Sequence, residues 1–232
     1  MAHESLLWRL WRAMYRRYDS NPIFGVLHSG VVKNVSMFVK PGFFAAFATA
    51  RTLERIHDQE NYSVLAVTPI SQLELTWLAS VGAAFFEKNP TMLFFTFFSA
   101  SPILCGVVLL STPVFGISLI FLLPVLVVFD NVLGVLSGMF IFAARRDGNS
   151  DPIMALILHS VIYIAGILGV VTVSAVLWLN QIGTPVFCLF PLTNVLLFAM
   201  YAEITTHIMW NMIVRRYDAL PIEAQNILSG DL

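Results

Sequence analysis

At 232 residues, 58% hydrophobic and only 12% charged, this chain is far more apolar than a soluble domain, in which about a quarter of residues carry charge. Lys and Arg nearly balance Asp and Glu, leaving a net charge of −1, so there is no general basic surface for nucleic acid. The mean hydropathy of +0.79 comes from runs as long as the roughly 20 residues that cross a bilayer, and a one-domain, all-α polytopic membrane bundle is expected.

Residues 3–18 read as an amphipathic helix, within an N-terminal unit at 1–22. Leu6, Leu7, Leu10, Trp11, Met14 and Tyr18 share one face. Arg9, Arg12, Arg16 and Arg17 lie largely on the other, where an interfacial helix meets lipid phosphates. An ordinary helix packed on the bundle is the alternative. Asn21-Pro22 ends the helix. The first 20 residues show no signal-peptide cleavage site.

Residues 23–50 are broken by Lys33, Asn34, Lys40 and Pro41, so short interfacial or re-entrant segments are expected, with a tilted hairpin as the alternative. Residues 51–90 read as a cytoplasmic region: a polar stretch, then a short apolar one from Leu73 to Phe86 closed by Glu87-Lys88-Asn89-Pro90. Four spans fill 91–216, at about 91–110, 114–144, 152–179 and 184–210, followed by a cytoplasmic tail at 217–232. With the N-terminus in the cytoplasm, Arg51, Arg55, Lys88, Arg145, Arg146, Arg215 and Arg216 fall on the cytoplasmic side with the four arginines of the first helix. The opposite turns, around Ser111-Thr112-Pro113 and Asn180-Gln181-Ile182-Gly183, carry no Lys or Arg. An integral protein of a bacterial inner membrane with both termini in the cytoplasm is the expected arrangement.

Trp11-x4-Arg16-Arg17-Tyr18-Asp19-x2-Pro22 recurs as Trp210-x4-Arg215-Arg216-Tyr217-Asp218-x2-Pro221. Both copies suit a juxtamembrane cap; a tandem or duplicated architecture is the alternative. Cys105 and Cys188 lie in apolar runs and read as small buried hydrophobes. Gly134-x3-Gly138 is a small-x3-small pair suited to close helix approach.

Ionisable residues inside spans are costly and mark candidate sites. Asp130 and Asn131 lie within the second span and His159 in the third. Glu203 and His207 stand at i and i+4 in the fourth and share a face. They form either an intramembrane polar path for protons or substrate, or a structural network between helices. No Walker, Rossmann, zinc-protease or nucleophile-elbow pattern occurs, so no enzyme, metal or cofactor is expected beyond bound lipid.

One polar segment carries more information. Glu54 is followed by Glu60-Asn61-Tyr62, Leu65, Thr68-Pro69-Ile70-Ser71 and Glu74-Leu75. This order resembles the cytoplasmic coupling region of six-span ABC-type exporter permeases, over about 25 residues. The Gly-Thr pair of that pattern is absent, and the first two spans are missing or reduced to residues 23–50. The resemblance implies a permease-like subunit that docks a separate ATPase through Glu54, Glu60, Tyr62, Thr68, Pro69 and Ser71 and works as a dimer. The alternatives are a non-transporting subunit of a respiratory or photosynthetic complex, and a proton-handling subunit.

Overall fold

A computed structural model describes residues 4–14, 42–58, 71–86, 113–144, 151–181 and 190–229. Among them there is no strand. The helices are α1 (Leu6–Met14), α2 (Gly42–Asp58), α3 (Gln72–Phe86), α4 (Pro113–Ala144), α5 (Pro152–Gln181), α6 (Phe190–Arg216) and α7 (Pro221–Ser229). Two carry stretches long and apolar enough to cross a membrane, Phe121–Ala144 in α4 and Pro152–Val173 in α5.

Local chemistry fixes where several helices begin and end. Ser71 and Glu74 form a reciprocal capping box at the start of α3: the Glu74 amide donates to Ser71 Oγ at 3.2 Å, and the Ser71 amide to Glu74 Oε2 at 3.2 Å. Asp151 caps α5 by accepting from the Ile153 amide at 3.0 Å, with Pro152 in the first helical position, where its missing N–H costs nothing. At the end of α6, Asp218 takes φ 48°. The Ala219 amide then reaches back to the Val214 carbonyl and the Asp218 amide to that of Arg215, a Schellman stop. Pro221 starts α7 at once.

α4 is the hub. Every other helix packs on it except α7, which lies against α1 and α3. Of the apolar stretch of α4, 61% is buried inside the protein, against 17% for that of α5, so α4 is central and α5 peripheral. The core joins Trp77 of α3, Phe129, Leu133, Leu136 and Met139 of α4, and Phe198 and Ile213 of α6. Trp77 meets Trp210 edge-on at 5.9 Å, tying α3 to α6.

Glycines set the closest crossing. A Cβ on Gly134 would fall on the Gly42 carbonyl, and one on Gly138 at 2.5 Å from Thr49 Cγ2. The small pair Gly134-x3-Gly138 therefore packs on a small face of α2, Gly42, Ala45, Ala46 and Thr49. The pairings advance together along both helices, so α2 runs parallel to α4. Phe129 meets Phe198 and Tyr201, and Phe140 lies under Arg216, so α6 is parallel to α4 as well. The C-terminal ends of α2 and α6, carrying exposed Arg51, Arg55, Arg215 and Arg216, thus lie at the same end of the bundle.

Several expectations change. The apolar face of α1 (Leu6, Leu7, Leu10, Ala13 and Met14) is covered by α4, α6 and α7 rather than left for lipid. α2 runs unbroken across the expected boundary at residues 50 and 51, because buried Leu53 and then Ile56 carry its packing on past Ala50. The short apolar stretch after Ser71 is α3, buried along almost its whole length. Part of the expected tail folds as α7, with Ala224 and Ile227 buried. The second and third expected spans coincide with α4 and α5; the fourth starts later, at Phe190, and runs to Arg216. The expected span at 91–110 lies outside the described residues.

Candidate functional site

Asp130, His159, Glu203 and His207 fall into two clusters, each built on a carboxylate that accepts from the first turn of another helix. In the first, Asp130 projects from α4 towards α2 and α5. The Gly42 amide, the first N–H of α2, donates to Asp130 Oδ2 at 2.6 Å, across 88 residues of sequence. His159 Nε2 of α5 lies 3.1 Å from Asp130 Oδ1 and 3.3 Å from the Asp130 carbonyl. The carboxylate thus closes an orphan amide of α2, faces the positive end of its dipole and orients an imidazole. Nε2 faces two oxygens, which assigns it the proton in the neutral ring.

His159 is only 2% exposed, and its Nδ1 has no hydrogen-bond partner among the described residues. The ring stacks on Tyr163 at 5.8 Å, and Tyr163 on Phe129 at 6.2 Å. Tyr201 completes this aromatic wall: its hydroxyl donates to the Ile162 carbonyl at 2.6 Å, and its ring fills the space left by Gly166. Asn131 is not drawn into the cluster. Its Nδ2 donates back to the Val127 carbonyl at 2.9 Å, within its own helix.

The second cluster is centred on Glu203 of α6. Leu6 N donates to Oε1 at 2.6 Å and Leu7 N to Oε2 at 3.1 Å, so one carboxylate holds the first two amides of α1. Ser5 Oγ accepts the third, from Trp8, at 3.3 Å. His207 Nε2 shares Oε1 at 3.2 Å. The expected i, i+4 pair is thus present, with a third party that the sequence did not announce. Among the described residues no group of three or more His, Cys, Asp or Glu is placed to hold a metal.

The structure therefore joins Asp130 to His159 and Glu203 to His207; no contact links the two pairs among the interactions described. Arg9 is half-buried on α1, and exposed Arg12 pairs with Glu4. Arg16 and Arg17 lie outside the described residues. So do Glu60, Tyr62, Thr68 and Pro69 of the coupling-like segment. Glu54 is half-buried near the end of α2, and Ser71 is the cap of α3. Sequence reading missed Gly42, Leu6 and Leu7 because they act through backbone amides, which have no side-chain signature. The glycine at the start of a small-residue helix face was the one available hint.

Comparison with protein families, with characterised proteins and with solved structures finds no match in any of the three.

Proposed function

We propose that this chain is the membrane-embedded, permease-like subunit of an ATP-driven exporter, with a separate ATPase docking on residues 54–71. The observation that carries this reading is how the flanks of that segment are held. α2 and α3 bracket residues 59–70, and both pack on α4 and on each other. α2 is locked to α4 by glycine contacts and Asp130, and α3 starts at a firm capping box. A push received at the end of α2 or the start of α3 is passed on to the central helix. Coupling then requires only that the partner bind two arrangements of the bundle with different affinity.

The membrane setting is supported by the outward faces of α5 and α6. Ile157, Val161, Ile164, Leu168 and Val171 leave α5 as an exposed apolar stripe, and Leu196, Met200, Ile204 and Ile208 do the same on α6. Such faces suit lipid, and the shared end of Arg51, Arg55, Arg215 and Arg216 suits a cytoplasmic surface. The test is affinity purification from membranes in mild detergent, followed by mass spectrometry. The expected result is a stoichiometric ATPase with Walker motifs, lost on Pro69→Ala. Retention of the ATPase in P69A, or no such ATPase at all, overturns the coupling reading.

A second reading, a scaffold subunit of an energy-converting complex, is favoured by one observation: Asp130, His159 and Glu203 are all engaged in helix-to-helix contacts. Co-purification with redox subunits in place of an ATPase would select it.

A further inference from the structure

We propose that α1 is a detachable clasp with two resting places, the bundle and an anionic lipid surface, and that Glu203 holds it on the bundle. The proposal rests on the membrane reading above. α1 has nine residues, fewer than an isolated helix needs to persist in water, so it is helical only while its apolar face is covered. In the structure the cover is α4, α6 and α7. The same residues, Leu6, Leu7, Leu10 and Met14, are what an interfacial helix sinks into the acyl boundary. The two covers compete for one face, so they exclude each other.

The polar side of α1 fits the second cover. Arg12 stands opposite the buried face, where it pairs with Glu4, half-buried Arg9 flanks that face, Trp8 is 48% exposed, and the sequence continues with Arg16-Arg17. Cations beside an exposed indole match the phosphates and interfacial layer of an anionic bilayer.

Beside the burial of its apolar face, the polar hold on the first turn of α1 falls on one side chain. Glu203 alone accepts the Leu6 and Leu7 amides and divides Oε1 between Leu6 and His207. The two carboxylates are similarly covered, Glu203 26% and Asp130 18% exposed, but their histidine partners differ: His207 is 53% exposed and His159 2%. The two carboxylates do the same job in different settings. At Asp130 the contact is locked by a crossing with no room for a side chain on Gly42; at Glu203 the carboxylate shares Oε1 with a half-exposed histidine.

The test is hydrogen–deuterium exchange of the full chain in lipid nanodiscs. In discs of phosphatidylcholine alone, Glu203→Gln is expected to speed exchange in residues 6–14 at least tenfold, with exchange in α4 unchanged. Adding phosphatidylglycerol is expected to restore protection of residues 6–14 in E203Q, but not in E203Q carrying R9Q and R12Q as well. Equal α1 exchange in wild type and E203Q would show that Glu203 does not hold the helix. Fast exchange in E203Q whatever the lipid would show that α1 has no second resting place. If the wild-type chain does not enter discs and stays in solution, the membrane reading falls, and the lipid half of the proposal with it. The comparison of wild type with E203Q in buffer then still decides the role of Glu203.

Discussion

Gly42 joins two demands in one residue. Its amide must reach Asp130, and its Cα must lie against α4 so closely that a Cβ would fall on the Asp130 carbonyl. Gly42→Ala is therefore expected to force α2 away from α4, at the cost of about 1–3 kcal/mol usual for overpacking. The check is the midpoint of unfolding in mixed micelles. Asp130→Asn keeps the volume but leaves a single acceptor oxygen on the side chain for two donors. It is expected to cost about 1.5–3 kcal/mol, the range for a charge-assisted hydrogen bond. If D130N unfolds with the wild-type midpoint, the carboxylate is not holding α2. Tyr201→Phe removes only the bond to the Ile162 carbonyl and keeps the ring against Gly166, so a smaller loss of about 0.5–1.5 kcal/mol is expected.

At the scale of elements, the long helices and amphipathic α1 were legible, whereas α2, α3 and α7 were not. α4 and α5 announce themselves because continuous apolar runs between Pro113 and Ala144, and between Pro152 and Gln181, admit few other structures. α2 was hidden because its packing face is made of Gly, Ala and Thr, which carry little hydropathy and pack by closeness instead. α3 was readable in principle: Ser71 followed by Glu74 before an apolar run is a capping box. In the sequence it was read as part of a coupling motif. The two readings are separable, since Ser71→Ala is expected to lose about 1 kcal/mol of stability by removing the cap, whatever its partners. Asp130 and His159 were each recognisable as candidates, being ionisable groups in apolar runs. Their pairing with the α2 amide was not, because no local pattern encodes a contact 88 residues away.

For the whole molecule, the outward stripes of α5 and α6 set the solvent. Leu168 is 60% exposed on α5. In water an exposed Leu→Arg change is nearly neutral, within about 0.5 kcal/mol, whereas near the middle of a bilayer it costs about 2.5–3.5 kcal/mol on insertion scales. Leu168→Arg is accordingly expected to reduce the fraction of chains recovered from the membrane after alkaline extraction. Full recovery of L168R would argue that this face is not lipid-exposed.

The contact between Leu6 and Glu203 spans 197 residues, and it also has a consequence in time. A ribosome adding about 5–20 residues per second needs roughly 10–40 s to travel that distance, so α1 leaves the exit tunnel long before its docking carboxylate exists. α7, part of its cover, is made later still. During that interval the newborn segment has an apolar face, two arginines and no bundle to receive it, and on the membrane reading proposed above the nearest surface able to cover that face is the bilayer that receives the later helices. α1 can meet this carboxylate only after synthesis has passed residue 203, so its docking reports that α6 has been made.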